Sequence, residues 1–223
     1  MSTPVDAHLP LRERKKQRTR EALLATGLRL FTERGFAATT LDELCDAVEV
    51  SKRTFFRTFA GKEDLVNAPL HDLWTRFLRE LAVAGPEPTL ADLLRGALLT
   101  ALDGMTEPDW PHRVLLSRRL AENNPSIEAD GLYFCDRTTR AALAVLRERF
   151  DLPDDLPVLL ALDVLVATFH RAQEAWATGP ATREGLREHV IAAWAAVPAG
   201  LDAPLRGLSA RQPEQQPGQQ PDV

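Results

Sequence analysis

The sequence predicts an all-α protein, with a head of three helices followed by a body of six. Three observations predict this. No stretch between turn signals alternates with period two, so nothing reads as a strand. Apolar residues recur at helical spacing along most of the chain, and Gly85-Pro86-Glu87-Pro88, Glu107-Pro108, Asn124-Pro125, Asp151-Leu152-Pro153 and Gly179-Pro180 interrupt them. Near the N-terminus, two helix-start signals at Thr40 and Ser51 frame a tight turn.

Residues 1–10 carry two prolines and read as a disordered tail. From Leu11 to Arg34 a first helix places Leu24, Gly27, Leu28 and Phe31 on one face, and Gly35 stops it. Thr40-Leu41-Asp42-Glu43 is a Thr-x-x-Glu capping box. Behind it Leu41, Leu44, Cys45 and Val48 form the apolar stripe of a two-turn helix. Ser51 caps a third helix, and Val50 and Phe55 have the spacing of a hydrophobic staple. Two short helices joined by a tight turn make a helix-turn-helix. The body helices are expected at about 62–83, 90–103, 111–122, 126–149, 156–178 and 182–197, with a kink or split at Pro69. Residues 198–223 are rich in Pro, Gln and Gly and read as a disordered tail. The domains expected are therefore a head over 11–61 and a body over 62–197.

The chain has 223 residues, 44% hydrophobic and 26% charged, enough to bury a core without disulfide or metal staples. Cys45 and Cys135 are too few for a secreted disulfide scaffold and too far apart for a zinc motif. The start shows no signal peptide, and the apolar stretch Leu156 to Phe169 is broken by Asp163, so a reduced cytoplasmic protein is expected. The formal net charge of −5 hides a split. Residues 1–62 hold 12 Lys and Arg against 8 Asp and Glu, a net of +4; the remainder carries −9. A basic head on an acidic body suggests an anionic partner for the head alone.

In the third helix Lys52, Arg53, Thr54, Arg57 and Thr58 lie outside the apolar positions Phe55, Phe56 and Phe59. A helix of this kind fits the major groove, where Arg reads guanine and Thr touches a thymine methyl. On an isolated segment such charges would be an ordinary solvated face. The capped neighbouring helix, the basic segment ahead of it and the charge split favour DNA. The segment Arg12 to Arg20, with six positive charges and one negative, has two readings. It is either a solvated extension of the first helix or an arm that follows the DNA backbone or enters the minor groove.

The ordered series Leu23-Leu24-Ala25-Thr26-Gly27-Leu28-Arg29-Leu30-Phe31, Gly35-Phe36-Ala37-Ala38-Thr39-Thr40-Leu41-Asp42-Glu43-Leu44, Val50 to Phe59 and Gly61-Lys62-Glu63-Asp64-Leu65 resembles the tetracycline-repressor (TetR) family of bacterial transcription regulators. The resemblance implies that Thr40 caps its helix and touches a phosphate. It assigns Lys52, Arg53, Thr54, Phe56, Arg57 and Thr58 to recognition-helix contacts and Lys62 to a phosphate. Phe55 and Phe59 would hold the recognition helix to the first two. Three positions depart from the family pattern: Glu49 replaces the usual turn Gly, Phe56 the usual Tyr and Thr58 the usual His. The first puts a less tolerant residue at an awkward backbone angle.

In the body, Leu156 to Thr178 is apolar nearly all round in its first half. The last helix carries Leu186, Val190, Ile191, Trp194 and Val197 beside small alanines. The resemblance implies that these two helices pair with their copies in a four-helix dimer interface; a monomeric core is the alternative. It also implies that the middle helices surround an effector cavity. The candidates for its wall are Trp74, Phe77, Trp110, Arg113, Phe134, Phe169, His170 and Trp176, each of which would serve equally as core. Arg118 and Arg119, or His170, would suit an anionic ligand, or would be a salt-bridged surface and a core histidine. No phosphate loop, nucleophile elbow, His-Glu-x-x-His or Glu-x-x-His motif is present, so neither an enzyme nor a cofactor or metal is expected.

The expected protein is thus all-α, with an N-terminal helix-turn-helix DNA-binding domain and a C-terminal ligand-binding and dimerisation domain. Its expected function is that of a homodimeric repressor of palindromic operators in double-stranded DNA, released by a small-molecule effector. The competing reading is a helical interaction protein that keeps the fold without operator binding.

Overall fold

The computed structural model describes residues 10–152 and 154–201. Over these the chain forms α1 (Leu11–Arg34), α2 (Leu41–Ala47), α3 (Lys52–Thr58), α4 (Lys62–Val83), α5 (Leu90–Asp103), α6 (Trp110–Glu122), α7 (Pro125–Arg149), α8 (Leu156–Trp176) and α9 (Arg183–Leu201). No strand occurs among the described residues. Most of both expected tails lies outside them. The C-terminal boundary moves, however, because α9 continues through Pro198 to Leu201.

The head is organised by its caps. Gly35 ends α1 at φ 93°, a left-handed conformation that other residues resist. The Thr40 hydroxyl accepts from the Glu43 N–H at 3.2 Å, and the Glu43 carboxylate accepts from the Thr40 N–H at 2.8 Å. That second bond holds the Glu43 carboxyl below its usual range. Ser51 caps α3 through the Thr54 N–H at 3.2 Å. Between α2 and α3, Glu49 sits at φ 55°, as the substitution for glycine predicts. The N–H of Val50 closes the turn on the Cys45 carbonyl at 2.9 Å.

Leu23, Leu24, Leu28, Phe31, Leu44, Phe55 and Phe59 make the core of the head. Gly27 lets α1 approach closely, since a Cβ there would meet a Leu65 methyl at 2.8 Å. Leu65, Val66 and Ala68, all from α4, belong to the same core, as do Leu120 and Ile127 from α6 and α7. A second core holds the body, built on Leu73, Phe77, Leu81, Leu94, Leu98, Val114, Leu146, Leu162, Leu165 and Trp176. Pro69 does not split α4, which runs as one helix of 22 residues across both cores. The Pro69 carbonyl accepts from the Trp110 indole at 2.9 Å.

Among the described residues α8 is long and apolar enough to cross a membrane. One of its faces, Leu162, Leu165, Phe169, Ala172 and Trp176, is instead built into the body core.

A non-glycine residue in the left-handed region costs about 1–2 kcal/mol. Glu49→Gly is therefore expected to raise the melting temperature by roughly 2–4 °C, the shift about 1 kcal/mol produces in a chain of this size. Thermal unfolding followed by circular dichroism checks it; an unchanged or lower value would show that Glu49 bears no strain.

Candidate nucleic-acid interface and body cavity

The capped α3 turns Phe55 and Phe59 inward and leaves Lys52, Arg53, Phe56 and Arg57 exposed. Phe56 is 54% exposed, an unusual position for a phenyl ring, and meets the Phe55 ring edge to face. Thr54 and Thr58 are half-buried. The Thr54 hydroxyl lies 3.1 Å from the Ser51 hydroxyl, and the Thr58 hydroxyl donates to the Thr54 carbonyl at 3.0 Å. The Thr40 hydroxyl donates to Glu43 at 2.8 Å, so its capping role occupies it. Lys52 pairs with Asp42 at 2.8 Å, which keeps its ammonium charged above the usual range.

Lys62 is turned inward rather than outward. Its ammonium donates to the carbonyls of Phe36 and Thr39 at 2.8 and 2.9 Å and lies 4.5 Å from the centre of the Phe36 ring. In this arrangement it ties the start of α4 to the loop after α1. The basic segment of residues 12–20 is part of α1, so of its two readings the helical extension is the conformation found. Arg20 leaves the set of free cations. It pairs with Asp72 of α4 at 2.8 Å and lies 5.4 Å from the centre of the Phe59 ring.

A cavity of about 400 Å³ opens between α4, α6, α7 and α8, a size suited to a small organic molecule. Of the eight expected wall residues it contains four: Trp74, Phe134, Phe169 and His170. Trp74 and Phe169 meet edge to face, with centroids 5.1 Å apart. His170 is exposed on α8, which corrects its reading as a core histidine.

The other four are elsewhere. Phe77 and Trp176 are buried in the body core, and the Trp176 indole donates to the Thr182 carbonyl at 2.8 Å. Trp110 is buried against Pro69, and Arg113 pairs with Glu21 of α1 at 2.6 Å. Large aromatics are drawn to wherever most area can be buried, and helical spacing does not say which side of a helix faces a void. Arg118 lines the cavity and pairs with Glu122, one turn on along α6, at 3.1 Å.

Apolar spacing does not reveal the polar wall, which includes Asn67, His71, Ser117, Thr138 and Gln173 beside Arg118. Asn67 donates to the Ile127 carbonyl and to Asp130, both at 2.9 Å. His71 Nδ1 lies 3.2 Å from Asp64, and its ring stacks on Phe134 at 3.7 Å. That bond is the main cause holding the Asp64 carboxyl below its usual range; burial opposes it. The Ser117 hydroxyl, His71 Nε2 and Gln173 Nε2 are buried without a partner. A signal for these residues exists in the sequence: Asn67, Ser117 and Gln173 interrupt otherwise apolar stripes, and buried polar atoms demand partners. Cys135 also lines the cavity, with its thiol pushed up by burial and by Asp163 and Asp136. Burial likewise raises the thiol of Cys45, an inert member of the α2 stripe.

The family model for bacterial regulatory proteins of the tetR family matches residues 23–68, the span of the capped helices and the start of α4. The chain is 33% identical over 172 residues to the HTH-type transcriptional regulator TcmR of Streptomyces glaucescens, covering 74% of this chain and 76% of that one. The chain belongs to the tetR family. Its relatives are transcription regulators rather than enzymes. A shorter match, 40% identical over 47 residues, links it to the uncharacterized HTH-type regulator YerO of Bacillus subtilis, over 21% of this chain and 16% of that one. In fold it is similar to SmeT, the repressor of the Stenotrophomonas maltophilia multidrug efflux pump SmeDEF. The TM-score is 0.50 at 19% identity, over 83% of this chain and 91% of that one. For the SmeT–triclosan complex the TM-score is 0.51 at 18% identity, over 92% and 100%. The tetR-family fold therefore extends beyond the head, through the helices that enclose the cavity.

Because the Asp64 carboxyl is depressed in the folded chain, its contribution is present above the unfolded value near pH 4 and lost as pH falls through the folded value. Asp64→Asn is expected to be less stable than the wild type at pH 7, with the gap closing below about pH 4. Urea unfolding across that range measures it; a gap independent of pH would deny the His71–Asp64 bond a stabilising role.

Proposed function

We propose that the chain is a homodimeric, ligand-responsive repressor of palindromic operators, with residues 11–61 as the DNA-reading head and 62–197 as the effector-binding and dimerisation body. One observation carries the ligand response. The first turns of α4 sit in the head core through Leu65, Val66 and Ala68, and the next face of the same helix lines the cavity through Asn67, Leu70, His71 and Trp74. A rigid helix with one end under the recognition helix and its middle against a ligand couples the two. It does so only if the ligand binds the DNA-competent and released arrangements unequally. The fold likeness to SmeT, a repressor also described in complex with triclosan, supports this reading.

Lys52, Arg53, Phe56 and Arg57 are the proposed reading face, with Thr54 and Thr58 at its edge and Thr40 beside the DNA backbone, while Lys62 is held inward by the Phe36 and Thr39 carbonyls. Arg57 is suited to a guanine edge, and Phe56 to sugar or a thymine methyl. Glu49 does not disturb this face, since α3 keeps its cap and its seven residues. A regulator of this kind works where the chromosome is, in the cytoplasm.

The dimer reading rests on a second surface. Leu156, Leu160 and Val164 recur every four residues on the outer face of α8 and are 59%, 55% and 36% exposed. Ile191, Ala192, Ala195 and Ala196 are exposed on α9, which packs against α8. Two copies joined there would present two recognition helices to successive half-sites.

Gel retardation with the DNA flanking its own gene tests the reading. Salt-sensitive, sequence-selective retention is expected, and no retention at low salt would favour an interaction protein without operator binding. Arg57→Ala is expected to cost about 1–3 kcal/mol on the operator alone if Arg57 reads a base, and to weaken all sequences alike if it holds phosphate. An unchanged affinity would remove Arg57 from the interface. Leu160→Glu is expected to convert a dimer to monomers in sedimentation, with circular dichroism unchanged. A dimer that survives the substitution would place the interface elsewhere.

A further inference from the structure

The cavity's polar atoms differ in what they ask of an occupant. The Asp64 carboxylate has no proton to donate, so the hydrogen between it and His71 belongs to Nδ1. In the neutral ring this leaves Nε2 as an acceptor, buried, unpartnered and carried by a side chain of the cavity wall. The nearest carboxylate oxygen, on Asp130, is 4.0 Å away, too far for a hydrogen bond. Gln173 Nε2 and the Ser117 hydroxyl, on side chains 4% and 1% exposed, complete a set of three unpartnered atoms from three helices.

Around them are the rings of Trp74, Phe134 and Phe169. Among the described lining residues Arg118 is paired with Glu122, and Glu128, with Asp130 beside it, leaves the wall net negative. An anion is therefore disfavoured. A neutral aromatic molecule that gives a hydrogen to His71 and accepts one from Gln173 meets the walls and the polar atoms together.

His71 also connects this site to the head. The Asp64 oxygen that does not face His71 accepts from the Ala60 N–H at 2.8 Å, and Ala60 directly follows Phe59, the residue that ends the recognition helix. A hydrogen bond donated to Nε2 draws electron density out of the ring and strengthens Nδ1–H as a donor to Asp64. Less charge is then left on the oxygen that holds Ala60.

We propose that His71 reads the occupant of the cavity: Nε2 accepts the hydroxyl of a neutral aromatic ligand, and Asp64, as a positioning residue, relays its presence to Ala60 at the exit of the recognition helix. This rests on the cavity being the effector site.

The test uses the full chain at pH 8 with 2-naphthol and its methyl ether, which share the ring system but not the donor. Calorimetry is expected to show naphthol binding at least about tenfold tighter than the ether, the factor about 1.4 kcal/mol provides. His71→Phe keeps an aromatic ring beside Phe134 and is expected to bind both compounds alike. Asp64→Asn, whose side chain does not line the cavity, is expected to shrink the preference because it no longer dictates which ring nitrogen carries the hydrogen. Amide exchange at Ala60 is expected to speed up with saturating naphthol and to stay unchanged with saturating ether.

Equal affinities for the wild type, or a preference that survives in His71→Phe, would overturn the assignment of His71 while leaving the cavity as a ligand site. An Ala60 amide indifferent to naphthol would overturn the relay. Failure of both compounds to bind would overturn the cavity reading and this inference together. The wild-type comparison decides the matter even if a variant fails to fold.

Discussion

The head and body share a helix, and the rest of the structure depends on how α4 is buried along its length. Its first two turns complete the head core, and its last three turns carry Leu73, Phe77 and Leu81 into the body core. Side-chain packing in such interiors is close to that of a crystal, so a displacement of α4 is transmitted rather than absorbed. The cavity opens along the stretch where α4 passes from one core to the other, the place where an occupant has most leverage on both.

Two cross-links between α1 and the body limit how α4 can move. Arg20 reaches Asp72 of α4, and Glu21 reaches Arg113 of α6. Burial pushes the Asp72 carboxyl up against the pull of Arg20, so the charge of this pair is opposed by desolvation. A pair whose attraction is opposed in this way adds little to overall stability. Arg20 also lies against Phe59, which brings the end of the recognition helix into the same network. Basic residues that look alike in the segment 12–20 thus do different work: Arg12, Lys15, Lys16 and Arg18 stay exposed while Arg20 is structural.

Local signals in the chain were legible where chemistry over three or four residues decides the outcome. The Thr40 capping box, the Ser51 cap, the Gly35 stop and the backbone angle of Glu49 all depend on neighbours in sequence, and all are found. The body helices fall within two residues of their expected bounds except at α9, where Pro198 does not end the helix. The cavity was only half legible. Trp74, Phe134 and Phe169 share their chemistry with Trp110, Phe77 and Trp176, and only the packing of one helix on another distinguishes a wall from a core.

The sequence by itself determined the family through an ordered motif series, and the all-helical class and cap geometry through hydrogen bonds and spacing within single turns. Tertiary structure alone decided that Lys62 and Arg20 turn away from the candidate DNA face, and that His71, Ser117 and Gln173 converge on one cavity. Those outcomes join residues from four helices. The distances between helices are set by the summed burial of two cores, which no short stretch of the chain contains.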